Sequence, residues 1–311
     1  MCDSRQRDAV ISWISGPVLH ATTSVPFHLN EAVKVGHQLL LGEVIRINGN
    51  ESVIQVYEDT TGLRPGDSVS ATGSPLSVKL GPGLLGNIFD GLLRPLNAQG
   101  RYVKPGVRQD VSGKKYAFSP LVKQGDLLTR GSLFGSVHRA DARAQRCMTP
   151  PNCDGRVVSI KQAGEYGEDE VLCTIDCGDR GTQELSMSHY WPVRQPRPVL
   201  HRRAIQGPLF TGQRIIDSIF PIGRGGRAAM PGGFGTGKTV LQETLAKWCD
   251  ADVIIYVGCG ERGNEMAGVL HDFPSLEDPR TGRPLMERTV IIANTSNMPV
   301  AAREASIYTA V

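Results

Sequence analysis

The chain has 311 residues, 40% of them hydrophobic, so it can bury a substantial core, and its length favours two or three domains. Its formal net charge of +3 comes from 34 basic and 31 acidic residues, too small an imbalance to indicate nucleic acid or anionic lipid as a partner. No stretch approaches the roughly 20 apolar residues that span a bilayer, and the N-terminus lacks a signal-peptide core. We therefore expect a cytoplasmic chain without direct membrane insertion.

The first part of the chain has the pattern of a small β-barrel. Residues 10–69 alternate apolar and polar side chains in short runs that turn residues separate, and residues 43–57 show a hairpin pattern around Asn-Gly-Asn. This pattern predicts an antiparallel barrel within a first domain at residues 1–75. Glycines and prolines are frequent in the following segment, residues 76–111, which is predicted to connect to the main domain.

A second β-rich block follows and ends in a stiff connector. Glycines interrupt its strands, which are too short for a parallel sheet, so we predict a second β-rich block from about Lys114 to Leu185. Three prolines between Trp191 and Pro198 then force extended backbone and mark a domain boundary. The connector also carries basic residues that we expect to be solvated rather than to bind nucleic acid: Arg194, Arg197, Arg202 and Arg203.

Residues 191–311 alternate helix and strand patterns, which is typical of a parallel α/β sheet. The predicted elements are a helix within 212–220, a short strand at 227–230, a helix at 238–248, strands at 253–257 and 289–293, and a helix that begins near Asn297. One right-handed βαβ crossover through residues 227–257 is expected to bring the end of its second strand to the loop before its helix.

That loop, GGFGTGKT at residues 232–239, matches the phosphate-binding pattern G-x-x-x-x-G-K-[ST]. Its glycines let successive amides, with the helix N-terminus, point at phosphate oxygens. Lys238 is predicted to neutralise the β- and γ-phosphates and Thr239 to ligate Mg²⁺. Phe234 either packs near the site or fills the domain core. The predicted nucleotide-binding residues are Gly232, Gly233, Phe234, Gly235, Thr236, Gly237, Lys238, Thr239 and Val240.

A Glu-Arg pair in the sequence GCGERGNE forms the second predicted site. Glu261 and Arg262 follow the apolar run 253–257, and the crossover is expected to place Glu261 beside the γ-phosphate. A carboxylate there can orient an attacking water, and an arginine can offset charge that develops on the transferred phosphoryl group. Such a pair in a loop is usually a solvated ion pair, so its proximity to the phosphate loop is what favours a catalytic role.

Three motifs, GGFGTGKT, YVGCGERGNEM and ANTSNMPVAAREASIYT, resemble the catalytic A subunit of bacterial and archaeal V-type or A-type rotary ATPases. The resemblance covers nearly the whole chain. The insert at residues 112–190 resembles the bulge domain of that protein, which F-type β subunits and flagellar export ATPases lack. The resemblance implies a mixed fold: an N-terminal antiparallel β-barrel, an inserted β-rich bulge domain and a partial RecA-like α/β P-loop domain, incomplete at residues 191–311.

This resemblance implies ATP hydrolysis or synthesis coupled to proton or sodium transport, with ATP and Mg²⁺ as cofactors. Lys238 and Thr239 would bind phosphate and magnesium, Glu261 would activate water, and Arg262 would assist at the γ-phosphate. The implied partners are the B subunits of an alternating A/B hexamer, the central and peripheral stalk subunits, and through these the membrane sector. The chain would be cytoplasmic and peripheral to the membrane, and it would not bind nucleic acid.

One departure from the family concerns the metal site. A P-loop magnesium site uses an acidic residue at the end of another apolar strand, whereas residues 289–293 run into Asn294. In the family, the missing strand, the adenine pocket and a helical domain follow the position of Val311. The chain therefore resembles the first half of the catalytic subunit, truncated at its C-terminus, and we expect it to be inactive alone.

Two alternative functions stay open. The first is a non-catalytic truncated subunit or assembly piece. The second is a Rho-like RNA translocase, because such a protein also combines a barrel with a P-loop domain. A barrel that binds RNA should interleave aromatic and basic residues for base stacking, and Trp13, Phe27 and Tyr57 are well separated in the sequence.

Overall fold

The computed structural model describes residues 8–96, 114–139, 142–151, 153–199, 202–233 and 235–311. It begins with a closed antiparallel barrel in which the strand order is β1-β2-β5-β4-β3-β6. The strands are β1 (Asp8–Ser15), β2 (Val18–Thr22), β3 (Glu31–Val35), β4 (Leu40–Asn48), β5 (Glu51–Val56) and β6 (Ser68–Pro75). The predicted barrel is confirmed.

The barrel follows from the alternation in its sequence. Inward positions such as Leu19, Val33 and Ile54 are fully buried and form one core, and strand closure leaves no unpaired edge. Gly49 takes a positive φ of 57° in the tight turn between β4 and β5, a conformation that favours glycine.

Two short strands follow the barrel, β7 (Ser77–Leu80) and β8 (Ile88–Phe89), and the insert begins after them. The insert contains two four-stranded antiparallel sheets, with strand orders β10-β13-β15-β16 and β12-β11-β9-β14. These sheets enclose a core that includes Phe118, Phe134 and Leu172. The strands are β9 (Lys115–Pro120), β10 (Leu127–Leu128), β11 (Leu133–Arg139), β12 (Ala142–Met148), β13 (Gly155–Ile160), β14 (Gly164–Gly167), β15 (Cys173–Asp176) and β16 (Thr182–Leu185).

The insert begins and ends at one antiparallel ribbon, because β17 (His189–Pro192) pairs with β7. The connector after β17 makes specific contacts, so the prediction that Arg194 and Arg197 are merely solvated is wrong. Arg194 lies 3.4 Å from Glu43 of the barrel and 3.3 Å from Glu304. The Arg197 guanidinium stacks 4.1 Å from the Trp191 ring. Arg194 therefore joins the barrel to the last helix of the chain.

The remaining residues form the α/β part. Its elements are β18 (Pro208–Leu209), α1 (Arg214–Ile219), β19 (Ile222–Gly223), α2 (Lys238–Trp248), β20 (Ile254–Glu261), α3 (Gly263–Asp272), β21 (Thr289–Thr295) and α4 (Val300–Ala310). β20, β21 and β8 form a parallel sheet in that order. Among the described residues, no helix is both long and apolar enough to cross a membrane.

The predicted strand at residues 227–230 is wrong. These residues form no regular structure, and those at 227–229 are exposed. A strand needs a ladder partner, and in the described part of the chain β20 pairs only with β21. Within the residues that the structure describes, the expected βαβ crossover therefore lacks its first strand, and only its helix α2 and its second strand β20 are present.

Candidate nucleotide-binding site

The phosphate loop has the backbone that its glycines allow. Gly235 and Gly237 have φ angles of +76° and +81°, in the left-handed region that favours glycine. Gly237 caps α2, which begins at Lys238. A Cβ on Gly232 would lie 2.6 Å from Thr236 Oγ1, so this position also requires glycine. Thr236 Oγ1 donates to the carbonyl oxygen of Gly233 at 2.9 Å and closes the loop.

The Lys238 side chain folds back into this loop. Its Nζ donates to the carbonyl oxygens of Gly232 and Gly233, the second at 2.9 Å. The ammonium thus lies among backbone groups at the start of α2, where an anion is favoured. Thr239 is half-buried in the first turn of α2, Val240 is exposed, and Phe234 lies outside the described residues. A polyphosphate with Mg²⁺ fits this set of glycine backbone, ammonium and hydroxyl groups.

Glu261 lies at the carboxyl end of β20, which is longer than the predicted strand. Burial raises the pKa of the Glu261 carboxyl, and a hydrogen bond and charge repulsion from Glu265 raise it further, whereas the Lys238 ammonium opposes both effects. Glu261 and Lys238 are therefore close enough to interact electrostatically. Arg262 follows at the N-cap of α3 and is exposed.

Glu265 is a residue of this site that the sequence analysis did not predict. It lies in the first turn of α3 and shares a hydrogen bond with Glu261. Helical spacing could not have revealed it, because Glu261 is the last residue of β20 and only Glu265 lies on α3.

One acidic residue does follow a strand of the parallel sheet, but its contacts do not make it a metal ligand. β8 is followed by Asp90, which is 3% exposed. Its carboxylate accepts hydrogen bonds from Arg94 Nε at 2.6 Å and from the backbone amides of Leu92 and Arg94. Asp90 is therefore committed to a turn. Within the described residues, no cluster of three or more His, Cys, Asp or Glu side chains could hold a metal ion.

Three sequence profiles of one family match successive parts of the chain. The profile described as the ATP synthase alpha/beta family, beta-barrel domain, matches residues 11–73. The profile of the ATP synthase alpha/beta subunit barrel-sandwich domain matches residues 111–194, and that of the nucleotide-binding domain matches residues 212–311. The predicted fold class, a barrel, an inserted β domain and a P-loop domain, is confirmed.

Individual relatives are similar along nearly the whole chain. The A-type ATP synthase A subunit 1 of Methanospirillum hungatei is 51% identical over 99% of this chain and 53% of its own length. The corresponding A-type ATP synthase protein of Methanopyrus kandleri is 50% identical over 96% of this chain and 51% of its own. The V-type ATP synthase alpha chain of Halothermothrix orenii is 49% identical over 97% of this chain and 52% of its own.

These similarities confirm the resemblance to the catalytic subunit of A-type and V-type ATPases that the motifs indicated. The chain spans about half the length of the curated relatives it matches.

Proposed function

The chain belongs to the ATP synthase alpha/beta family, and on that premise we propose that it acts as the catalytic A subunit of an A-type or V-type rotary ATPase. In this role it couples ATP hydrolysis or synthesis to the transport of protons or sodium ions. The observation that carries the proposal is that Lys238, whose Nζ lies inside the phosphate loop, is near enough to Glu261, at the end of β20, to lower the pKa of its carboxyl. A phosphate-binding cation and a proton acceptor thus face one site.

Each residue of the site has a role in this proposal. The loop amides and Lys238 bind the β- and γ-phosphates, and Thr239 would ligate a Mg²⁺ ion that neutralises phosphate charge. Glu261 orients the attacking water and accepts its proton, a role that its raised pKa favours because it makes the carboxylate a stronger base. Arg262, exposed beside it, offsets charge that develops on the transferred phosphoryl group.

The exposure of the loop supports a site that a neighbour completes. Residues 235–237 and Arg262 are all exposed. We infer that the neighbour is a B subunit of an alternating A/B hexamer, and that central and peripheral stalk subunits connect this hexamer to a membrane sector. The chain is then peripheral to the membrane, on its cytoplasmic side. In this proposal ATP and Mg²⁺ are the cofactors and nucleic acid has no part.

Nucleotide binding by this chain tests the proposal first. Titration with a fluorescent ADP analogue and Mg²⁺ should give saturable binding, and Lys238→Met should raise its Kd at least about tenfold because a charge-assisted contact is lost. Lys247→Met is the matched control, since Lys247 lies in the last turn of the same helix. Equal affinities of the wild type and Lys238→Met, or no saturable binding at all, would contradict the proposal.

A second measurement separates catalysis from a non-catalytic assembly role. ATP turnover is measured for the chain assembled with B subunits, and Glu261→Gln should abolish turnover while it leaves nucleotide binding intact. If the assembled wild type binds nucleotide without turning it over, the chain is an assembly piece. Stimulation of turnover by RNA would instead favour a translocase.

A further inference from the structure

The strand that carries Glu261 ends in a β-bulge. In the ladder between β20 and β21, Cys259 pairs with Asn294 and Glu261 pairs with Thr295, so Gly260 is an extra residue. Its φ of +77° lies in the left-handed region that favours glycine. A bulge changes the direction of the side chains around it. The direction of the Glu261 side chain therefore depends on what holds Gly260 in place.

The first turn of α4 covers this bulge. A Cβ on Gly260 would lie 3.3 Å from Cδ and 3.4 Å from Nη1 of Arg303, so the Arg303 side chain lies directly over Gly260. On one side of it, the Cys259 thiol donates to the carbonyl oxygen of Arg303 at 3.3 Å. On the other side, the amide of Ser296 donates to the carbonyl oxygen of Glu261 at 2.9 Å.

α4 is itself fixed to the sheet, so it can act as a support. Asn294, which is fully buried at the end of β21, donates from Nδ2 to the carbonyl oxygen of Ala302 at 2.7 Å. Ala301, Ala302 and Ala305 are buried on the same helix. The position of the Arg303 backbone is thus set by the core of the domain rather than by solvent.

The Arg303 side chain is not explained by an ion pair. Its Nε is buried, and it has no hydrogen-bond acceptor in the part of the chain that the structure describes. A buried N–H without an acceptor costs free energy. The Arg303 side chain therefore covers Gly260 without stabilising the fold through a hydrogen bond from Nε.

We propose that Arg303 is a positioning residue that holds the Gly260 bulge and thereby aims Glu261 and Arg262 at the γ-phosphate. The inference rests on the proposed function. Arg303 acts through the bulge and has no direct contact with nucleotide. When its side chain is truncated, Glu261 remains in place along the strand but loses its fixed direction.

The test compares two ligands that differ at the γ-phosphate position. The Kd values of ADP and of ADP–fluoroaluminate, which mimics the transferred phosphoryl group, are measured with Mg²⁺ for the wild type and for Arg303→Ala. We expect the preference for ADP–fluoroaluminate to fall about tenfold in the variant and the ADP affinity to change less than twofold. Arg303→Lys keeps an aliphatic stem over Gly260 and should restore part of the preference.

Arg46→Ala on the barrel is the control for loss of an exposed arginine, and it should leave both affinities unchanged. An unchanged preference in Arg303→Ala, or an equal loss for both ligands, overturns the inference. If the wild type binds ADP without preferring ADP–fluoroaluminate, the inference fails while nucleotide binding stands. If the wild type binds no nucleotide, the proposed function fails and the inference falls with it.

Hydrogen exchange gives a second measurement that needs no nucleotide. The Ser296 amide, which donates to the Glu261 carbonyl oxygen, should exchange at least about tenfold faster in Arg303→Ala than in the wild type, and Arg303→Lys should show a smaller increase. Amides of β4 and β5 in the barrel should exchange at unchanged rates. Unchanged exchange at Ser296 would show that Arg303 does not hold the bulge.

Discussion

At the scale of single residues, the pKa of Glu261 depends on opposing effects of a neighbouring cation, Lys238, and a neighbouring carboxylate, Glu265. Burial and Glu265 raise the pKa of Glu261, and Lys238 lowers it, with the first two effects larger. The pKa of Glu261 should therefore rise when nucleotide binds, because a bound phosphate engages Lys238 and removes part of its attraction for the Glu261 carboxylate.

Glu265→Gln tests this balance. The change removes a like charge and supplies an amide donor, so the pKa of Glu261 should fall towards its ordinary value. A carboxyl whose folded-state pKa is raised stabilises the fold at low pH and loses that contribution as pH rises through this pKa. The variant should therefore show a weaker decline of unfolding free energy over that range. Carboxyl ¹³C NMR titration measures the pKa, and Glu277→Gln, an exposed glutamate, is the control. An unchanged pKa in Glu265→Gln would refute the coupling.

Single residues also show which contacts can be predicted from the sequence and which cannot. The phosphate loop was predictable because glycine, lysine and threonine at fixed spacing satisfy one local geometry, and the start of α2 at Lys238 agrees with it. Arg194 was not, because its partner Glu43 lies in the barrel, 151 positions earlier in the chain. A local sequence pattern cannot reveal a contact between residues so far apart in the chain.

At the scale of elements, the helix after the phosphate loop was predicted, whereas α3 and the shortest strands were not. The helix at 238–248 has the predicted bounds, because eleven residues carry enough periodicity to identify it. β8 has two residues, too few to show any period, and it exists because β21 offers it a parallel ladder. The predicted strand at 227–230 is the converse case, because its residues have no strong strand preference and find no ladder partner in the described part of the chain.

The seating of α4 against the sheet gives a prediction at this scale. Gly91→Ala would place a Cβ 2.2 Å from Asn294 Nδ2 and 2.5 Å from the carbonyl oxygen of Ala302. We expect the free energy of unfolding to fall by about 1–3 kcal/mol, because a buried side chain and a helix backbone must both move. Denaturant unfolding followed by circular dichroism measures the change.

Gly268→Ala is the matched control for this substitution. Gly268 lies inside α3, and a Cβ there meets nothing within 4 Å. Alanine is the better helix former, so this variant should gain about 0.5–1 kcal/mol. If both variants lower the free energy of unfolding, or both raise it, the close packing of α4 on Gly91 does not explain the effect of Gly91→Ala.

At the scale of the whole molecule, the barrel and the α/β part differ in whether the edges of their strands are paired. The barrel closes on itself, so each of its strands has two neighbours. In the α/β part, β20 has β21 on one side and no other described strand on its second side. Large apolar side chains are exposed nearby, including Ile219, Phe220 and Trp248. An open edge of this kind favours association with other chains.

A pair of matched substitutions tests whether the β20 edge drives association. Ile255 on β20 and Val10 in the barrel are both strand residues and are 48% and 51% exposed. Ile255→Lys should raise the apparent dissociation constant for self-association about tenfold, because a charge beside the open edge opposes pairing. Val10→Lys, on a strand paired on both sides, should leave it unchanged. Light scattering over a concentration series measures both. If Ile255→Lys associates as strongly as the wild type, or Val10→Lys is equally effective, the edge is not the cause and association arises from apolar surface elsewhere.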